Sequence, residues 1–286
     1  MIGNVLTYFF FCGIFRSNIF TINEVFMGYI LFNIGPIPVH GYGLMIGIGI
    51  VAAMLLIMFR AKGSGLDGDK AWRIVMWSTI VGFAGGKLMF MIVEHEQLIK
   101  DPLSVIGSSG FVVYGGIIAG LIFCFFYCKR IGASFFKYID LFLPGLSVGQ
   151  GFGRLGCLMA GCCYGREAHA HEWGIIFPDG CMAPAGVELI PTQVYSSIGN
   201  FAIAATLIIV DYATRKREGR IPGMLLGLYL ILYGVGRFVV EIFRNDVRGS
   251  VGILSTSQFI SIFMVAAAIV IFIVLKIRSK KTVVNL

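Results

Sequence analysis

Charge is what this 286-residue chain most lacks: Asp, Glu, Lys and Arg make up 13% of it, against about a quarter in a soluble globular domain. So few ionic groups cannot coat a water-soluble surface, and 57% hydrophobic residues with a mean hydropathy of +0.87 exclude a soluble fold. Other signals are missing too. There is no P-loop, and no dinucleotide fingerprint follows a strand, so no nucleotide or redox cofactor is expected. No basic stripe interleaved with aromatics is present, which argues against a nucleic-acid partner. No internal repeat suggests an inverted-repeat transporter. Near the N-terminus, Val5 to Phe15 is apolar but too short to span, and it lacks the basic start and small-residue cleavage site of a secretory signal.

What is present is a series of apolar stretches near the roughly 20 residues a helix needs to cross the hydrocarbon core. Seven are found, at residues 42–59, 71–93, 111–128, 138–158, 192–212, 221–243 and 255–277. The expected fold is therefore all-α: a polytopic membrane protein with about seven transmembrane helices. Residues 1–35 are expected to form an N-terminal interfacial segment, because Val25 to Phe32 is closely flanked by Asn23, Glu24 and Asn33. Residues 36–286 then form a single transmembrane domain, with residues 161–190 as a small external cap anchored at the interface by Trp173 and Phe177.

The formal charge of +8 encodes orientation. Placing the N-terminus outside puts 15 of the 23 Lys and Arg residues on one side, and ten of the 15 acidic residues on the other. By the positive-inside rule the C-terminus is cytoplasmic.

A cation at the bilayer centre costs roughly 3 kcal/mol on insertion scales, so charges within spans are functional candidates. With this orientation, polar residues of five spans share the outer half: His40 and Tyr42, Lys87, Tyr114, Arg154, and the group Tyr233, Arg237 and Glu241. The last three are spaced four apart, which places them on one helix face and lets Glu241 pair with Arg237. Two guanidiniums with a single carboxylate nearby in sequence imply an anion, and Arg presents a planar fork suited to phosphate. A phospholipid head group is the anion available at that depth. The fourth span, with Pro144, Gly145, Gly149, Gln150, Gly151, Gly153 and Arg154, is expected to be a broken helix buried in protein or lining a wet cavity. Gly82, Gly85 and Gly86 in the second span, and Gly115, Gly116 and Gly120 in the third, suit close helix packing.

These residues carry a family likeness. The run GFGRLGCLMAGCCYG, Gly151 to Gly165, resembles the signature of prolipoprotein diacylglyceryl transferases, and YGVGRFVVEIFRND, Tyr233 to Asp246, is similar to that family's second Arg segment. HGYGLM from His40, GGKL from Gly85, VYGGIIAG from Val113, Asp140, and PTQVYSS from Pro191 follow in the family's order. The resemblance implies a bacterial plasma-membrane enzyme that moves the diacylglyceryl group of phosphatidylglycerol onto the lipobox cysteine thiol of a prolipoprotein. The products are a thioether and glycerol phosphate. It implies as partners phosphatidylglycerol, prolipoprotein signal peptides and membrane lipids, with no metal or other cofactor. By matching positions, Arg154 and Arg237 clamp the phosphate, Glu241 orients Arg237, and Tyr42 and Tyr233 shape the pocket. Gly115, Gly116 and His40 are expected to contribute to substrate binding. Tyr114 stands where many members carry the His expected to act as base, and a phenol with a pKa about 10 is a poor base at neutral pH; His40 is the other candidate. Cys157 and Cys162 stand where some members carry an amide and a carboxylate.

Two further readings stay open. Cys157, Cys162, Cys163 and Cys181, with His169 and His171 among them, allow packing thiols, a disulfide from Cys181 to Cys162 or Cys163, or a metal or thiol-redox site, although C-x4-C-C is not a standard zinc spacing. Transport is the other. Against it, the inner halves of the spans read as nearly pure Ile, Leu, Val, Phe and Met.

Overall fold

The computed structural model describes residues 30–35, 37–108, 110–169, 171–216, 221–245 and 249–284. A hairpin of β1 (Ile30–Ile34) and β2 (Ile37–His40) leads into α1 (Gly41–Ser64), followed by α2 (Gly68–Val93) and two short helices, α3 (His95–Lys100) and α4 (Pro102–Gly107). Next come α5 (Val113–Arg130) and α6 (Phe135–Ala160), the strands β3 (Ile175–Ile176) and β4 (Glu188–Leu189), and then α7 (Thr192–Thr214) and α8 (Met224–Ile242). A two-residue pair, β5 (Ser250–Val251) and β6 (Leu254–Ser255), precedes α9 (Thr256–Val284).

Six helices, α1, α2, α5, α7, α8 and α9, are long and apolar enough to cross a membrane. At most 28% of any such span is buried inside the protein, which leaves most of each apolar surface to lipid, the only solvent that accepts it. The chain is a multi-pass, all-α membrane protein. The seventh long helix, α6, is too polar to meet the same apolarity test, and its surroundings explain why. It packs against α1, α7 and α8 and is the most buried helix of the bundle.

The expected break in α6 does not occur. Phe135–Ala160 runs as one helix through Pro144, and its glycines serve close contact: a Cβ on Gly145 would lie 3.0 Å from the Ala53 carbonyl oxygen, and one on Gly49 of α1 would lie 3.2 Å from that of Gly149. The α2 and α5 glycines form a second seam, in which a Cβ on Gly115 or Gly116 would lie 2.9 Å from the carbonyl oxygen of Gly85 or Gly82 respectively.

One end of the bundle holds buried charges where the sequence reads as apolar. Arg60, one of the 15 basic residues that the charge count puts on the cytoplasmic side, is 2% exposed; it donates to Asp211 (2.9 Å) and to the Leu141 carbonyl. Arg215 joins Asp211 at 3.1 Å and donates to the Gly63 carbonyl at 2.8 Å. Beside them Asp140 of α6 accepts from the backbone of Gly223 (2.8 Å) and Leu226 (3.0 Å), capping α8 from outside its own sequence. The main apolar core, including Ile57, Ile74, Leu141, Leu207 and Leu225, fills this end.

The opposite end carries the loops. The expected interfacial helix over Val25 to Phe32 falls partly outside the described residues; from Ile30 on the chain is a strand, and the β1–β2 hairpin bridges the expected boundary at residue 35. Between α6 and α7, Phe177 is 1% exposed and packs with Ile175, Ala183 and Leu189 as the core of that segment, so it is not an interfacial anchor. Trp173 is exposed, with its ring edge-on to Tyr195 at 5.9 Å.

Candidate active site

The loop end of the bundle gathers side chains from α1, α6 and α8. Tyr229 and Tyr233, one turn apart on α8, stack at 5.5 Å with their planes 19° apart. Gln150 of α6 holds Tyr229 through a two-way amide–hydroxyl pair at 2.9 and 3.1 Å. Tyr233 in turn lies close enough to act on Arg154, one helical turn beyond Gln150 on α6. Arg237 follows Tyr233 by one turn. Its Nη2 donates to Ser257 Oγ of α9 at 2.8 Å, and its Nη1 lies 3.0 Å from Glu241 Oε2. That approach is outside hydrogen-bond alignment, so Arg237 Nη1 is a buried donor without a hydrogen-bond partner among the described residues.

Arg154 and Arg244 both lie close enough to Arg237 to act on it electrostatically. Arg244 is the residue the sequence reading did not assign to the site; it lies two residues beyond the end of α8, where no helical spacing from Arg237 could place it. Its position is fixed by backbone. Gly165 bridges Arg244, Arg166 N–H donates to the Phe243 carbonyl at 2.9 Å, and Gly165 N–H donates to Ile190 at 2.9 Å. Only glycine fits there: a Cβ would lie 2.7 Å from the Ile190 oxygen and 2.8 Å from that of Phe243.

Tyr42, at the start of α1, lies beside the same group. Its backbone oxygen and ring carbon Cδ2 would each be 3.1 Å from a Cβ on Gly156, and it is electrostatically adjacent to Arg154, Cys157, Cys162 and Cys163. Those last three thiols form a cluster of their own, with every sulfur within 4.8 Å of the others. No disulfide joins the described cysteines, so of the alternatives left open for them the link from Cys181 is not made.

Among the described residues, Tyr114, Gly115, Gly116 and Lys87 make no hydrogen bond or ion pair with these arginines. Gly115 and Gly116 face α2 in the glycine seam. Tyr114, in the first turn of α5, is 46% exposed, and among the described residues no hydrogen bond, ion pair or ring contact links it to the arginines. His40 ends β2 and makes no side-chain cap to α1. Lys87, also assigned to the converging group, is occupied: its ammonium donates to the carbonyls of Val105 (2.9 Å) and Ser108 (2.7 Å), and so ties α4 and its following loop to α2.

Comparison with known proteins completes the description. The family model described as "Prolipoprotein diacylglyceryl transferase" matches residues 29–274. Two similar proteins, phosphatidylglycerol–prolipoprotein diacylglyceryl transferase 2 of Clostridium perfringens and the transferase of that name from Clostridium tetani, are each 41% identical, over 89% and 88% of this chain and 98% and 99% of theirs. The transferase of Finegoldia magna is 31% identical over 91% of this chain and 98% of its own.

Proposed function

Because this chain belongs to the prolipoprotein diacylglyceryl transferase family, a bacterial multi-pass membrane enzyme family, we propose that it transfers the diacylglyceryl group of phosphatidylglycerol to the lipobox cysteine of prolipoproteins. The observation that carries the site assignment is the meeting of Arg154 and Arg237, from two helices, with one ion pair between them among the described residues, that of Arg237 with Glu241. Two buried guanidiniums that share a single carboxylate are one negative charge short, and a buried cation is costly unless an anion balances it.

The reaction is alkyl transfer at carbon. The lipobox thiolate attacks the glycerol carbon of the diacylglyceryl group, the carbon–oxygen bond breaks, and the electron pair leaves on the phosphate oxygen. Glycerol phosphate departs and a thioether remains. Negative charge builds on the phosphate as that bond breaks, so donors aimed at it lower the barrier. Arg154 and Arg237 are the clamp, Glu241 orients Arg237, and Tyr233, stacked on Tyr229, holds Arg154. Arg244 adds positive field beside them. Tyr42 borders the pocket. The 161–190 segment acts as an external cap, with the N-terminus outside and the C-terminus cytoplasmic, the orientation supported by the basic residues. Transport finds no support in the family match, and the buried Arg60–Asp211 pair at the far end is engaged in bonds between helices.

The test is a lipidation assay in detergent with phosphatidylglycerol and a lipobox peptide, read as a mass increase on the peptide cysteine. A diacylglyceryl-sized increase is expected. Folded protein that binds lipid and gives none would overturn the assignment.

A further inference from the structure

The C-terminus of α6 is a Schellman turn built on cysteines. Gly161 takes the left-handed φ of 65°, its N–H donates to the Leu158 carbonyl at 3.1 Å, and the Cys162 N–H reaches back to the Cys157 carbonyl at 3.0 Å. In that motif the two residues joined by the longer bond bring their side chains together, ordinarily as an apolar pair; here both are thiols. Cys163 follows at φ 64°, the only positive φ at a non-glycine among the described residues. A β-substituted residue is unfavourable there and persists only where its surroundings hold it. They do: Thr192 Oγ1 donates to the Cys163 carbonyl at 2.6 Å and Gln193 Nε2 to that of Cys162 at 2.7 Å, both from the buried first turn of α7. The sulfurs of Cys157, Cys162 and Cys163 thus lie within 4.8 Å of one another, with Cys162 and Cys163 partly exposed.

Such a trio suits thiol–disulfide exchange. Two cysteines close a bond only where their backbones already lie side by side, and the hydrogen bond from Cys162 to Cys157 holds them so. A third thiol beside them is the nucleophile that passes such a bond on, since exchange proceeds by thiolate attack on a disulfide sulfur. Cys163 is prepared for that part. It lies beyond the end of α6, and hydrogen bonds with Cys157 and Cys162, followed by the positive charge of Arg244 and Arg154, hold its thiol below the ordinary value. The trio also borders the transfer site. Cys157 follows Arg154 by three residues, which puts both on one face of α6, and Tyr42, packed on Gly156, is electrostatically adjacent to all three thiols.

We propose that Cys157 and Cys162 are a disulfide-forming pair, with Cys163 as the exchanging thiol, and that closing the bond slows the transferase. The effect on turnover rests on the transferase reading; the chemistry of the pair does not. The oxidant is a low-molecular-weight disulfide, RSSR. The Cys163 thiolate attacks one of its sulfurs, which forms a mixed disulfide and expels RS−, and that anion takes up the proton Cys163 has lost. Cys157 then displaces the second RS− to give a Cys157–Cys163 bond. Cys162 displaces Cys163 from Cys157, which leaves the bond across the turn and Cys163 as a thiol again. Two thiols are oxidised to one disulfide while one RSSR is reduced to two RSH. Drawing the Cys157 and Cys162 sulfurs into bonding contact pulls the last turn of α6 against its cap, and with it the helix face that carries Arg154 and supports Tyr42.

The experiment uses full-length protein in detergent, incubated with oxidised glutathione and then freed of it. One portion goes to peptide mapping by mass and the other to the lipidation assay without reductant. The map should show Cys157 and Cys162 joined, with the loss of two hydrogens. Lipidation should fall by up to about 10²-fold, the scale of a small misplacement in a site, and dithiothreitol should restore it. Cys157→Ser should lipidate as the reduced protein does and ignore oxidised glutathione. In Cys163→Ser the same bond should form and reopen several times more slowly. Folded, unsubstituted protein whose Cys157 and Cys162 both stay open to alkylation after the treatment would overturn the pair, and full lipidation by the disulfide form would overturn its effect on turnover. Reduced protein that yields no lipidated peptide would remove the transferase reading, while the map still decides the pair.

Discussion

Arg60 of α1 and Asp211 of α7 meet at 2.9 Å inside the bundle, 151 residues apart in sequence, with both side chains almost fully buried. Breaking one partner of such a pair strands the other charge and costs about 3–5 kcal/mol. Asp211→Ala should therefore lower the unfolding temperature in detergent markedly. The double variant Arg60→Met with Asp211→Leu should recover much of the loss. A double variant as unstable as the single one would show that the pair is not what holds these helices together.

Arg154→Ala and Arg237→Ala should each reduce lipidation by about 10²–10³-fold, the range seen when one donor to a developing anion is removed. Lys at either position keeps the charge but loses the fork, so it should restore activity only in part. Glu241→Gln should leave Arg237 less well aimed and lower turnover less than Arg237→Ala does. Full activity in either arginine variant would remove that residue from the clamp.

Gly165→Ala puts a methyl group against the Ile190 and Phe243 carbonyls, at 2.7 and 2.8 Å. Overpacking of this kind costs about 1–3 kcal/mol, and here the shift moves Arg244 away from the thiol turn. Activity should fall more steeply than thermal stability. Equal losses in both would mean that the bridge serves only the fold.

The Arg166–Glu172 pair gives the loop segment a pH signature. Two short hydrogen bonds from Arg166, with the His169 N–H as a third donor, hold the Glu172 carboxyl down at about 2, below the ordinary glutamate value of about 4.3. A depressed carboxyl stabilises the fold above its unfolded pKa, and that contribution is lost as pH falls through the folded one. Cleavage of this loop by an acid-active protease should be steady above pH 5, rise progressively from about pH 4 to about pH 2, and level off below. Glu172→Gln should lack that rise. Cleavage of the unsubstituted protein that does not change between pH 5 and pH 2 would count against the pair.

Apolar run length located the seven long helices among the described residues, six of them apolar enough to cross a membrane, because lipid demands unbroken apolar length and polar loops mark the ends. Tyr233, Arg237 and Glu241 were legible for the same reason: spacing by four on a helix is geometry. Other features needed the third dimension. Arg60 and Asp211 look like loop-edge charges until the partner helix is present. Phe177 looks like an interfacial aromatic until the β3–β4 segment closes over it. The thiol cluster depends on one left-handed residue, Cys163, which no spacing rule reveals. Continuous α6 reads as broken because glycine marks both a break and a close approach.

The glycine seam between α2 and α5 has a mechanical meaning. Their backbones touch along Gly82, Gly85, Gly115 and Gly116, and each helix packs mainly on the other, with slighter contact to α1 and α6. Lys87 fastens the connection between them. The two helices thus form a single stiff slat on the side of the bundle. A load on either helix is therefore carried by both, and the slat is tied to the rest of the bundle chiefly through the connection from α1 to α2 and the one from α5 to α6.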